Sequence, residues 1–286
     1  TYFRKDVNTT LYFTVPRKAS SFYRVKLNMI QVKLCAYGYT MERRLNGSLD
    51  HNIYIGIDEA GRGPLIGDMV IAGIMTNNYI LDTLVKRGLR DSKRLNPTKR
   101  YLLYNEAVKE GVVAVAVFIH PWRIDRENLN LIEERYIKWI LKTINSLIND
   151  LKMAKVNIFV DEVKGCKNNV RAYAEELFKE FKLSFSMEAN ADLKYSPVAL
   201  ASVIAKVARD TSINALKRHV GNFGSGYTAD PMLKDWLESS YSINAPPPIY
   251  IRRTWRLLKH KTPLWYIAKR KRKTPMHKNL RHFTKR

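Results

Sequence analysis

Apolar and other positions alternate with a period of two over 53–57, where Ile53, Ile55 and Ile57 are separated by Tyr54 and Gly56. That alternation predicts a strand, and the apolar run 69–75 predicts its neighbour. A short helix is predicted near 78–88. Asn96-Pro97 opens a second helix that runs to about Glu110, because asparagine caps a helix and proline suits its first position. Gly111 ends it, and the β-branched run 112–119 suits a buried strand. Leu129, Ile132, Tyr136, Ile140, Ile144, Leu147 and Leu151 keep helical spacing, so an amphipathic helix is predicted over 128–151. A short apolar strand, 156–160, ends on Asp161. A helix near 168–181, a strand near 183–188 and a long helix over about 196–218 follow. Strands that alternate with helices predict an α/β domain whose sheet is covered on its faces. Residues 1–40 show no sustained period, and no function is assigned to them. Met41 suits a translation start, twelve residues before the first clear strand.

Charge changes this picture more than overall composition does. The chain has 286 residues and a net charge of +24, unevenly placed. Residues 1–50 hold nine Lys/Arg against three acids, and 239–286 hold fourteen Lys/Arg and no acid. The middle, 51–238, is left at only +4. The expected division is therefore a basic extension over 1–50, a nearly balanced globular domain over 51–238 and a basic C-terminal segment over 239–286. A polyanionic partner follows from that distribution, with nucleic acid before an anionic membrane surface. No run of eighteen apolar residues predicts a membrane span. The N-terminus lacks the order of a signal peptide. Cys35 and Cys166 give neither a disulfide framework nor zinc spacing, which fits a reducing cytoplasm.

The chemistry lies at the strand ends. Asp58 and Glu59 close the first strand of the domain, Asp161 closes another, and Asp192 lies just after a third. Four carboxylates gathered at one sheet edge repel one another unless cations neutralise them. Oxygen ligands suit magnesium or manganese, and two such ions balance four negative charges. In a basic protein this constellation points to phosphodiester chemistry. Asp50, Asp68 and Asp125, by contrast, read as solvated loop residues. Gly61-Arg62-Gly63 places a cation between two flexible positions, one residue beyond the first carboxylate pair. A nucleic-acid binder without catalysis would explain the basic ends, but not the ordered carboxylates.

These residues resemble ribonuclease HII, in its archaeal and eukaryotic-type form. The 56–64 stretch Gly-Ile-Asp-Glu-Ala-Gly-Arg-Gly-Pro is similar to the first motif of that family, and Asp91-Ser92-Lys93 to the second. Phe159-Val160-Asp161 resembles the third. Ala191-Asp192-Leu193-Lys194-Tyr195, with the helical run through Asp210, resembles the fourth. Gly224-Ser225-Gly226-Tyr227 and Arg252-Arg253-Thr254-Trp255 resemble its C-terminal signatures. Departures are Ser196-Pro197, where the proline usually stands one place earlier, Thr228 for a usual proline, and Glu162 beside Asp161. The related ribonuclease HIII branch carries a lysine at the Arg62 position and a longer N-terminal platform.

The resemblance implies a ribonuclease H-like mixed sheet flanked by helices, with a helical basic C-terminal segment, acting as a monomer. It implies cleavage of the RNA strand of RNA–DNA hybrids and incision at single ribonucleotides in duplex DNA, leaving 3′-hydroxyl and 5′-phosphate ends. Asp58, Glu59, Asp161 and Asp192 would hold two Mg2+ or Mn2+ ions. Gly61, Arg62 and Gly63 would read the ribose, Tyr227 would stack on the sugar, and Lys93, Lys194 and Lys206 would contact phosphates. Ser202, Lys206 and Arg209 share one helical face, with Arg209 readable as a plain surface residue. The stretch 277–283, His-Lys-Asn-Leu-Arg-His-Phe, resembles a sliding-clamp-binding peptide.

Overall fold

The computed structural model describes residues 52–89, 95–148 and 154–269, together with the backbone of three short N-terminal strands. These strands are β1 (Thr10–Thr14), β2 (Arg24–Lys26) and β3 (Gln31–Cys35). Residues 52–188 supply β4 (Asn52–Ala60), β5 (Met69–Thr76), β6 (Val113–Ile119), β7 (Lys155–Asp161) and β8 (Lys182–Glu188). The sheet order is β2-β1-β3-β6-β5-β4-β7-β8. β4 runs antiparallel to β5 and parallel to β7, so the sheet is mixed and the first carboxylate pair lies on an interior strand.

Helices cover both faces. On one face α4 (Leu129–Asn145) and α5 (Lys167–Leu177) pack on the isoleucines of β4 and the valines of β6 and β7. On the other face α7 (Ser196–Val220) packs with α1 (Asn78–Lys86) and α2 (Pro97–Lys109). Every residue of β5 and β6 is buried, as two-sided covering requires. The helix α7 approaches β4 so closely that a Cβ on Gly56 would lie 2.1 Å from the Pro197 carbonyl oxygen. Only glycine permits that contact.

The element order follows the hydrophobic pattern, and the departures have local causes. The long amphipathic helix ends at Asn145, leaving Leu147 46% exposed, and Leu151 lies outside the described residues. Two helices lie outside the predicted set: α3 (Pro121–Arg126) is too short to show a period, and α8 (Pro231–Ser240) starts on an Asp230-Pro231 cap and buries Leu233 and Leu237, one turn apart. The short α6 (Ala191–Lys194) leads into α7. Beyond residue 239, α9 (Arg256–Lys261) and the turn Pro263–Trp265 fold back on the domain. Ile251, Leu258 and Trp265 share a buried cluster with Leu65, Ile66 and Phe223. That part of the basic segment thus packs directly against the loop after β4.

Two single-residue expectations are corrected here, and the competing surface reading of Arg209 falls. Asp125 is buried, not solvated: its carboxylate accepts from the Arg253 and Thr254 amides at 2.9 and 3.0 Å, anchoring the C-terminal segment. Asp68 is half-buried and bonds His120 Nδ1 at 2.8 Å. Arg209 is not a surface residue, because α7 turns it inward beneath the loop at Gly61. Asp50 lies outside the described residues.

Candidate active site

Strand pairing assembles the carboxylates. The parallel register sets Ile57 beside Val160, so the next residues, Asp58 and Asp161, emerge together at the same sheet edge. Ligand oxygens of Asp58, Glu59 and Asp161 all lie within 4.8 Å of one another. Asp161 Oδ1 accepts from the Ala191 amide at 2.9 Å, which ties α6 to the end of β7. Asp192, the next residue, is buried, but its carboxylate is not part of the close group of three.

The electrostatics of this edge are those of a site short of positive charge. Burial drives Asp58 well above the usual carboxylate range, and the charges of Glu59 and Asp161 add to it. Burial, then Glu133 and Asp161, push Glu59 up to about 7, with Arg62 opposing. A divalent cation among these oxygens would reverse both effects, and an all-oxygen donor set fits a hard cation. The residues therefore fit a metal centre.

Beside the cluster runs a groove of about 610 Å³, lined among others by Glu59, Gly61, Arg62, Gly63, Lys206 and Tyr227. Tyr227 is 46% exposed, and its ring passes 3.4 Å from where a Cβ on Gly63 would stand. Arg209, from beneath, sets its guanidinium 5.8 Å from the centre of the Tyr227 ring. Gly61 has a φ of 82°, in the left-handed region, and a Cβ there would meet the Arg209 side chain at 2.4 Å. The structure thus brings Gly61, Arg62, Gly63, Lys206 and Tyr227 to one groove. Lys194 is not in that lining. It pairs with Glu188, whose carboxyl Lys194 and Tyr195 hold down at about 2. Lys93 lies outside the described residues.

The ribonuclease HII family model matches residues 55–257. The chain belongs to the ribonuclease HII family. Among relatives, the ribonuclease HII of Hyperthermus butylicus is 39% identical over 75% of this chain and 87% of its own length. That of Sulfurisphaera tokodaii is 37% identical over 76% and 99%. The ribonuclease H2 of Pyrococcus horikoshii superposes with a TM-score of 0.60 at 30% identity, covering 74% of this chain and 98% of its own. A ribonuclease HII of Archaeoglobus fulgidus, solved as a complex with PCNA, gives 0.56 at 30% identity, over 71% and 93%. As a ribonuclease HII family member, this chain is a metal-dependent hydrolase that cleaves the RNA strand of RNA–DNA hybrids.

Within this ribonuclease HII framework, sequence reasoning missed the residues that hold the Arg62 side chain. Arg62 donates to Asn130 Oδ1 at 2.6 Å and pairs with Glu133, which is 1% exposed. Asn130 in turn donates to the Lys164 carbonyl at 2.9 Å, close to the end of β7. A signal existed: Glu133 falls on the buried face of α4, among Ile132, Tyr136 and Ile137. An acid in an apolar stripe is a misfit until a buried partner is found for it.

Proposed function

We propose that this enzyme also incises duplex DNA at single ribonucleotides, by a two-metal mechanism that leaves 3′-hydroxyl and 5′-phosphate ends. One observation carries the reading: the Gly61-Arg62-Gly63 backbone and the exposed Tyr227 ring line one groove with Glu59, which joins that groove to the carboxylate cluster. A 2′-hydroxyl offers a single donor and acceptor, so finding one ribose among deoxyriboses needs backbone brought close and a platform for the sugar. The glycines supply the first and Tyr227 the second. Lys206 contributes a phosphate contact from α7, and Lys93 and Lys194 are assigned the same role, Lys194 after release from Glu188. Two divalent cations, magnesium or manganese, held by Asp58, Glu59, Asp161 and Asp192 would supply an activated water and charge stabilisation at the leaving 3′ oxygen. Asn130 and Glu133 hold the Arg62 side chain beside that edge. A sliding clamp is proposed as a partner through 277–283, supported by the peptide resemblance and by the Archaeoglobus complex.

The test is cleavage of a DNA duplex with one ribonucleotide, in magnesium and in manganese, beside an RNA–DNA hybrid. Both substrates should be cut. Asp161→Asn should bind them while cutting on the order of a thousandfold more slowly. An enzyme that cuts the hybrid and leaves the lone ribonucleotide intact ends the single-ribonucleotide reading.

A further inference from the structure

The loop after β4 is held from behind by the C-terminal segment, one residue at a time. Arg252 is fully buried, and its guanidinium donates to the carbonyls of Gly61 at 2.6 Å, Arg62 at 2.9 Å and Gly67 at 2.9 Å. Trp255 Nε1 donates to the Gly63 carbonyl at 2.8 Å. The Arg252 guanidinium also lies 5.2 Å from the centre of the Trp255 ring, so the two side chains form one unit. The acceptors in these bonds are all backbone carbonyls, with no carboxylate among them. A buried cation that spends its donors on main-chain oxygens costs a fold more than an apolar side chain of similar volume. Arg252 therefore calls for a reason beyond packing.

Peptide geometry supplies one. In a trans peptide the N–H points opposite to the C=O of the preceding residue. Drawing the Gly61 and Arg62 carbonyls toward Arg252 turns the amides of Arg62 and Gly63 the other way. The third carbonyl, of Gly63, precedes Pro64, which has no N–H to present. So the clamp leaves two aligned donors on the side of the loop away from the C-terminal segment, and the groove floored by Tyr227 runs along these residues. We propose that Arg252 and Trp255 are positioning residues for ribose selection, fixing the 61–63 peptides so that the Arg62 and Gly63 amides donate to the 2′ oxygen. This deepens the proposed reading of the ribose by Gly61, Arg62 and Gly63, and it rests on that reading.

The experiment compares kcat/KM on an RNA–DNA hybrid with Ki of the same hybrid carrying a 2′-fluoro RNA strand as competitor. The competitor has the same phosphates and a poor acceptor at each 2′ position. Trp255→Phe keeps the ring and removes one donor, and Arg252→Lys keeps the charge and removes the fork. Each should lower kcat/KM about tenfold while Ki stays within about twofold. Unchanged kcat/KM in Trp255→Phe overturns the proposal, and so does a rise in Ki that matches the fall in kcat/KM, which marks a merely structural role. Should Arg252→Lys fail to fold, Trp255→Phe decides alone. Gly63→Ala separates the two levels. If it alone lowers kcat/KM at constant Ki, the loop reads ribose but the clamp does not act. If it leaves kcat/KM intact, the loop reading falls and the clamp with it.

Discussion

At the scale of single residues, the site is defined by charges held where they are least comfortable. Glu59, pushed up to about 7, binds its proton more tightly in the fold than in the unfolded chain, where it titrates near 4.5. Between those values the folded state holds the extra proton, so stability falls as pH rises through that window. In metal-free protein, Glu59→Gln should therefore be more stable than wild type at pH 8, on the order of 2–3 kcal/mol, and lose that advantage by pH 5. Added magnesium should close the gap at pH 8. Denaturation in EDTA at both pH values checks this, and a gap independent of pH would remove Glu59 as its source. Tyr227 makes a second prediction at this scale. With nearly half its surface exposed, Tyr227→Ala should leave the melting temperature almost unchanged. Incision at a lone ribonucleotide should fall about ten- to hundredfold, the worth of one stacking contact. Proportionate losses in melting temperature and rate would make it a packing residue instead.

At the scale of elements, the contact between β4 and α7 sets where the carboxylates stand. Gly56 lets the first turn of α7 lie on the strand, two residues before Asp58. Gly56→Ala places a methyl group against main-chain atoms that cannot turn aside. It should cost about 3 kcal/mol, roughly 6–12 °C in melting temperature for a domain of this size, and depress activity further by displacing Asp58. Gly73→Ala on β5 is the control. Its Cβ would meet the Ile140 side chain at 2.3 Å, an atom that can rotate, so the cost should be smaller. Equal melting temperatures for the two variants would show that α7 can shift off the strand.

At the scale of the whole molecule, charge and fold divide the work. The domain is nearly balanced, while the chain after Lys269 adds eight Lys/Arg and no acid. Truncation after Lys269 should weaken binding to duplex and make log affinity less steep in log salt, because fewer counterions are released. The rate on saturating substrate should stay the same. An unchanged salt slope would show the tail to be a bystander. A truncation before residue 250 should act differently, since it removes Arg252 and the buried cluster around Trp265.

The sequence by itself determined the alternation of strands and helices, the burial of the sheet on both faces and the placing of Asp58, Glu59 and Asp161 at strand ends. Each of these is written in a period of two or 3.6 residues, or in a polar residue that closes an apolar run, and such signals are local. Only the tertiary structure decided which strands are neighbours, and so that Asp58 meets Asp161 while the Asp192 carboxylate stands apart from the close group. It also decided that Asp68 and Asp125 are structural acceptors, that Lys194 turns to Glu188, and that Glu133 and Asn130 hold Arg62. The bonds from Arg252 to the 61–63 loop join residues 190 and 191 positions apart. A hydrogen bond across such a separation leaves no period in the chain. The 252–255 signature marked its donor in the sequence, but what that arginine holds appears only once the fold removes it from water.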